Sequence, residues 1–253
     1  MTLSFLPELA ATFLLIFARI GVLVMLMPGT GERGIPTRIR LGLGFLVTLL
    51  MLPTVQPLFK IDTGDLPQLV RLLLIEVMIG LMIGTFVRLA LTSLQTAGII
   101  IANQLSLSFA QTVDPAQGQN SLTFANFMTM LGLTLIFTMD LHHLSIVGLF
   151  DSYKIMAPGA APLVGDASAL IVKAVADSFL VGMQIAAPFM VFGIVFNLGL
   201  GVLSRLMPQF QVFFLAMPAT ILLGFAILVA VIGVMMTGFL SHVETSINQF
   251  ILR

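Results

Sequence analysis

The amino-acid sequence predicts an all-α integral membrane protein with about six apolar helices. Only 22 of the 253 residues carry a formal charge, 58% are apolar, and the mean hydropathy is +1.12. About a quarter of the residues in a soluble domain are charged, so this chain has too little polar surface to stay dissolved alone. The composition therefore excludes an ordinary soluble enzyme and indicates a lipid membrane as one partner.

The balance of charge and the absence of cysteine exclude further classes. The 11 basic and 11 acidic residues cancel, and no run of Lys or Arg occurs, so no nucleic-acid partner is expected. With no Cys in the chain, thiolate metal sites and cysteine nucleophiles are impossible.

Windows free of charge locate the helices, because a membrane-spanning helix needs about 20 mostly apolar residues. Four such windows lie between Arg40 and Lys60, between Asp114 and Asp140, between Asp177 and Arg205, and between Arg205 and Glu244. Two further windows, 9–27 and 69–87, are apolar but contain charged residues. Without a repeat or a hydrophilic linker, the chain is expected to form one domain over residues 1–253.

The charges inside these windows are unusual, because an unpaired charge in an apolar helix is costly. Arg19, Arg71, Glu76 and Arg88 are therefore expected to face the protein interior or a wet path. Of these, Arg19, Glu76 and Arg88 are predicted to fix contacts between subunits. One hypothesis pairs Arg19 with Glu76 between two helices. The alternative is that these helices do not lie at mid-bilayer and that the charges are solvated.

The stretch 89–113 is free of charge but rich in Ser, Thr, Asn and Gln. Hydrocarbon offers no partner for so many polar groups, so this stretch is predicted to face protein or water, lining a pore or another subunit. A re-entrant or merely connecting loop is the alternative.

Two other patterns resemble a nucleotide-binding motif and a metal site but lack the context that either would need. The segment Gly29-Thr-Gly-Glu-Arg-Gly34 matches a dinucleotide fingerprint as a string, but it lacks the preceding strand, and a tight turn explains its glycines. Adjacent His142 and His143 near Asp140 diverge by about 100° on a regular helix, so no metal site is assigned. No catalytic constellation, cofactor or small-molecule substrate is predicted.

The C-terminal third carries a specific resemblance. Its residues follow a pattern of Asn, glycines, Arg, Pro-Gln, Phe and Pro, represented by Asn197, Gly199, Gly201, Arg205, Pro208, Gln209, Phe213 and Pro218. This pattern resembles the FliR family of flagellar export-gate proteins, whose injectisome relatives form the SctT family. Agreement extends over residues 5–245 and includes Arg19, Glu76, Gly80, Gly84 and Ser152.

The resemblance implies a non-enzymatic subunit of the flagellar type III export gate, within the basal body in the bacterial inner membrane. It implies broken helical hairpins in a hetero-oligomeric channel with FliP and FliQ, a contact with FlhB, and unfolded rod, hook and filament proteins as export substrates. By the same resemblance, Phe109, Ala110, Asp114 and Pro115 belong to the loop that plugs the closed pore.

Three alternatives stay open. Ala219 stands where injectisome relatives often carry Lys, which favours the flagellar system over an SctT-type injectisome subunit. A self-sufficient small-solute channel or transporter would need a complete path within one chain. An intramembrane enzyme would depend on Asp140 or His142.

Overall fold

The computed structural model describes residues 5–32, 34–59, 65–107, 120–159, 164–207 and 212–251. These ranges hold seven α-helices and no strand, which confirms the predicted all-α class. The helices are α1 (Phe5–Leu26), α2 (Thr37–Val55), α3 (Leu66–Gln104), α4 (Asn120–Thr138), α5 (Leu141–Ile155), α6 (Val164–Leu206) and α7 (Val212–Asn248), with a short 3-10 turn at Gln56–Leu58.

Five of these helices are long and apolar enough to cross a membrane, namely α1, α2, α3, α6 and α7. The number rises to six if α4 and α5, which are interrupted at Met139 and Asp140, form one broken span. The chain is therefore an all-α integral membrane protein, as its composition predicts.

Three helices are much longer than the roughly 20 residues that a membrane-spanning helix needs. Helices α3, α6 and α7 contain 39, 43 and 37 residues. At 1.5 Å per residue, α3 is about 58 Å long, nearly twice the roughly 30 Å thickness of a bilayer's hydrocarbon core. A large part of each long helix therefore lies beyond a hydrocarbon layer of that thickness.

Helix α3 runs through Arg88, which separates the apolar window 69–87 from the polar stretch 89–113. The apolar window 69–87 and the first 16 residues of the polar stretch 89–113 form one continuous helix, which ends at Gln104. Its polar residues are therefore not a connecting loop as far as Gln104, and Ser93 among them is fully buried.

The described residues cluster into two compact units. The first comprises those within Met1–Ala90, Met139–Val175 and Val243–Arg253, and the second those within Leu91–Thr138 and Ala176–His242. The core of the first unit brings together apolar side chains from α1, α2, α3 and α5 and from the turn after α7, among them Ile16, Ile20, Leu23, Met51, Ile79, Ile83, Phe86, Leu149 and Phe250.

The turn between α1 and α2 confirms the reading of the glycine-rich segment as a tight turn. Gly29 has a φ of +89°, and a β-carbon at Gly31 would lie 2.7 Å from the carbonyl oxygen of Met25. Arg40 closes the turn from α2, because its Nη2 donates hydrogen bonds to the carbonyl oxygens of Glu32 and Ile35, both at 2.8 Å.

The second unit packs through small residues. A β-carbon at Gly98 of α3 would lie 2.5 Å from the Cα of Ala125 on α4, and one at Gly182 of α6 would lie 2.8 Å from the carbonyl oxygen of Ser93. Such close approach of helix backbones is typical of membrane helices, which associate through packing.

Much apolar surface stays uncovered within the chain. Leu222, Val229 and Val234 on α7 are 72%, 78% and 77% exposed. Exposed apolar surface on this scale requires a lipid or protein neighbour.

Gly80 provides a test of the packing between α1 and α3. A β-carbon there would lie 2.6 Å from the carbonyl oxygen of Arg19. This oxygen belongs to the backbone of α1, so it cannot move aside by a change of rotamer. We expect Gly80→Ala to lower the free energy of unfolding by about 1–3 kcal/mol, through overpacking. The measurement is unfolding of the purified chain by SDS in mild detergent, followed by circular dichroism.

The matched control is Gly42→Ala on α2, where an added β-carbon meets nothing within 4 Å. It should be neutral or stabilise by up to about 1 kcal/mol, because alanine favours helix over glycine. Equal destabilisation by the two substitutions would contradict the close approach at Gly80.

Candidate functional site

The two charges predicted to pair do so in the core of the first unit. Arg19, in the second half of α1, donates a hydrogen bond from Nε to Oε2 of Glu76 on α3 over 2.6 Å, and both side chains are 0% exposed. The pairing hypothesis is confirmed, and solvation as the alternative is wrong for these two residues. A charge-assisted bond of this length is among the stronger hydrogen bonds in proteins.

The remaining guanidinium nitrogens of Arg19 bind the C-terminal end of α5. Nη1 donates to the carbonyl oxygen of Ser152 at 3.2 Å and to its Oγ at 3.4 Å, while Nη2 donates to the carbonyl oxygen of Met156 at 3.2 Å. The last carbonyls of a helix lack partners within it and carry partial negative charge, so a buried cation is favourable there.

Neighbouring groups hold this arrangement in place. The Arg19 Cζ atom lies 4.0 Å from the ring centroid of Tyr153, a distance at which the ring face attracts a cation. The Tyr153 hydroxyl points back to the carbonyl oxygen of Ile16 on α1, at 3.5 Å. Ser152 Oγ donates to the carbonyl oxygen of Leu149 at 2.6 Å, so its lone pairs face Arg19. We call Arg19, Glu76, Ser152, Tyr153 and Met156 the arginine cluster.

The sequence indicated only part of this cluster. Ser152 was noted through the family resemblance alone, and Tyr153 and Met156 were missed. Tyr153 is the sole tyrosine of the chain, and this rarity could have pointed to a specific role for its ring and hydroxyl. Met156 takes part through its backbone carbonyl, and a backbone acceptor leaves no mark in a sequence.

The cluster changes how the predicted subunit contacts can be understood. The charged groups of Arg19 and Glu76 are enclosed within one chain, so an influence on another subunit would act through the fold. Arg88 lies exposed on α3. The role of these three residues in subunit contacts stays a prediction.

The predicted plug residues Phe109, Ala110, Asp114 and Pro115 lie outside the described residues. The structure does describe the part of the polar stretch that precedes them, at the end of α3. The side chain of Gln104 fills the space beside Gly193 on α6, where a β-carbon would overlap its Oε1, and Leu105 lies equally close to Gly224 on α7. The end of α3 is therefore fixed by two glycines of the second unit, and Ser106 follows with a φ of +58°.

The predicted family residues of the C-terminal third fall at the end of α6 and in α7. Asn197, Gly199, Gly201 and Arg205 are all exposed on the last turns of α6, and no atom lies within 4 Å of a β-carbon built at either glycine. Pro218 lies inside α7. Pro208, Gln209 and the side chain of Phe213 lie outside the described part.

The exposed residues Asn197, Gly199, Gly201 and Arg205 do not serve packing among the described residues. Glycine inside a helix costs about 1 kcal/mol relative to alanine, and no neighbouring atom in the described ranges requires a glycine at 199 or 201. Asn197, Gly201 and Arg205 are spaced four residues apart and share one side of α6, whereas Gly199 projects about 200° away from Asn197. Both sides of this helix end are exposed among the described residues.

Comparison with known proteins identifies the family. Residues 10–246 match the family described as bacterial export proteins, family 1. The chain belongs to this family.

Curated relatives agree with this family assignment. The chain is 48% identical over 214 residues to the flagellar biosynthetic protein FliR of Caulobacter vibrioides, covering 85% of each chain. It is 32% identical to the FliR of Pectobacterium carotovorum, covering 82% of this chain and 79% of the relative. It is also 32% identical to the FliR of Escherichia coli K12, covering 84% and 80%. The resemblance to the FliR family is thus confirmed, while a single domain over residues 1–253 stays a prediction.

The arginine cluster predicts strong coupling between its two charged members. Arg19→Met or Glu76→Met alone should lower the free energy of unfolding by about 3–5 kcal/mol, because each leaves a buried charge without its partner. The double substitution should cost clearly less than the sum, since it removes both charges. Unfolding in detergent, arranged as a double-mutant cycle, measures the coupling.

Arg71→Met is the matched control, because Arg71 is exposed on α3 near Glu76. It should change stability by no more than about 0.5 kcal/mol. Simple additivity of the Arg19 and Glu76 substitutions would show that the pair does not act as a unit.

Proposed function

We propose that this chain is a non-catalytic subunit of the flagellar type III protein-export gate. The observation that carries the proposal is the family match over residues 10–246, together with relatives that bear the name FliR. In this proposal the chain lies in the bacterial inner membrane within the flagellar basal body. It forms the channel for unfolded rod, hook and filament proteins with FliP and FliQ, and it contacts FlhB.

The surface of the chain supports assembly with other subunits. The long helices exceed the thickness of a bilayer, and their apolar side chains are exposed within the chain over much of their length. Lipid can cover only the part that lies within the hydrocarbon layer. Sister subunits would cover the rest, and the exposed end of α6 offers them close-packing surfaces, with Asn197, Gly201 and Arg205 on one side and Gly199 on another.

The anchored end of α3 supports the assignment of a plug to the following loop. Gln104 and Leu105 are seated against Gly193 and Gly224, so the loop begins from a fixed point. A plug must return to the same position after each opening, and a rigid starting point favours this. Phe109, four residues beyond Leu105, would supply the bulky apolar group that closes the pore.

Co-expression tests the assembly directly. The chain should co-purify in detergent with FliP and FliQ from the same genome, as one particle larger than any component. Gly199→Leu should reduce recovery of the complex severalfold without unfolding the isolated chain, because the new side chain projects from an open face. Gly42→Leu on α2 is the control for an equally exposed glycine.

Three outcomes would contradict the proposal. Failure to join FliP and FliQ would remove its main requirement. A stable monomer that alone gives solute flux in liposomes would establish the channel or transporter alternative. Assembly only with injectisome partners would establish the SctT alternative.

Phe109 provides a separate test of gating. We expect Phe109→Ala to raise ion leakage through the assembled gate severalfold, because a methyl group cannot fill the space of a phenyl ring. Conductance of cells expressing the complete gate measures the leak. Phe225→Ala on α7, where the ring is 44% exposed, is the control. Unchanged leakage in Phe109→Ala would contradict the plug assignment but not the assembly.

A further inference from the structure

Three side chains with metal-binding groups gather at the start of α5. The ligand atoms of Asp140, His142 and His143 all lie within 4.8 Å of one another. Asp140 Oδ1 is 3.4 Å from His143 Nδ1, and the two imidazole centroids are 4.0 Å apart. Within the described ranges, no other group of three carboxylate or imidazole ligands comes this close together.

The backbone explains how the aspartate reaches the two histidines. Asp140 precedes α5 with a φ of 57° and a ψ of 15°, in the left-handed region. This region is costly for most residues, and aspartate is among those that tolerate it. The turn carries the carboxylate beside the first helical turn, where both imidazoles lie. His142 and His143 lie within α5, so their Cα–Cβ bonds still diverge by about 100°. Their side chains turn toward each other, which brings the two ring centroids to 4.0 Å.

We propose that Asp140, His142 and His143 bind a divalent transition-metal ion such as Zn²⁺ or Cu²⁺. Two imidazole nitrogens and one carboxylate oxygen suit these ions, whereas Ca²⁺ and Mg²⁺ prefer sites made of oxygen alone. The fourth coordination position stays open to water or to a ligand from a neighbouring molecule. This site lies outside the export function proposed above and does not depend on it.

The distances fit such an ion after a small adjustment. A tetrahedral Zn²⁺ with bonds of about 2.0–2.2 Å separates its ligand atoms by about 3.3–3.6 Å. The contact between Asp140 and His143 already has this length. The widest separation must close by little more than about 1 Å, which the side chains of Asp140 and His143, 75% and 65% exposed, can supply by changing rotamer.

Binding would also fix α5 from its N-terminal end. The C-terminal end of this helix already binds Arg19 through the carbonyl oxygens of Ser152 and Met156. An ion at Asp140 would lock the turn at the opposite end, so both ends of the helix would be held.

Metal titration of the full chain in lipid nanodiscs tests the site. The protein carries an affinity tag without histidine, is stripped with a chelator, and is titrated with Cu²⁺ under electron paramagnetic resonance, with Zn²⁺ as competitor. We expect one saturable equivalent with hyperfine coupling to two nitrogens. His142→Asn and His143→Asn should each remove one nitrogen coupling and weaken binding at least about tenfold. Asp140→Asn should weaken binding by a similar factor but keep both nitrogen couplings, and asparagine tolerates the left-handed turn.

The matched control is His242→Asn, which removes the third imidazole of the chain and should leave affinity and coupling unchanged. Zn²⁺ should also raise the thermal midpoint of the native chain and of His242→Asn, but not that of Asp140→Asn. No saturable equivalent in the native chain, a spectrum without two nitrogens, or equal weakening by His242→Asn would each overturn the proposal.

Discussion

The first unit depends on a guanidinium group that cannot reach water. Arg19 lies within an apolar helix and is fully buried, so its charge and its donors must be satisfied by the protein itself. Glu76 supplies the opposite charge from α3, and the end of α5 supplies carbonyl oxygens. One side chain therefore determines the spacing of three helices, because its donors project in a fixed planar fork.

Gly80 also determines how α3 packs against α1 at Arg19. Its Cα faces the carbonyl of Arg19, and the close approach of α3 that it permits brings Glu76, one helical turn earlier, within bonding distance. Small residues and buried charges are often treated as separate features of membrane helices. Here the glycine sets the separation of the helices, and the ion pair sets their register.

The parts of this arrangement that sequence could predict are those carried by side chains. Apolar windows indicated six of the seven described helices but not α5, and the pairing of Arg19 with Glu76 followed from the cost of two charges in apolar surroundings. The charge of Arg88 interrupts the apolar pattern without ending α3, because arginine is a good helix former. The apolar windows therefore did not show how far this helix continues. The acceptors at Ser152 and Met156 are backbone carbonyls, which the sequence does not reveal. The left-handed residue before α5 is Asp140 rather than a Gly or Asn, the residues that most often indicate such a turn.

Helix α5 is ordered by its contacts with the rest of the chain rather than by its own length. With 15 residues it is near the length at which an isolated helix is only marginally stable in water, so its order comes from tertiary contacts. The carboxylate of Asp140 lies at its positive N-terminal end and the guanidinium of Arg19 at its negative C-terminal end, each opposite in sign to the local helix dipole. The hydrogen bonds from Arg19 hold the C-terminal end of this short helix, and the burial of Leu149 and Tyr153 follows from that position.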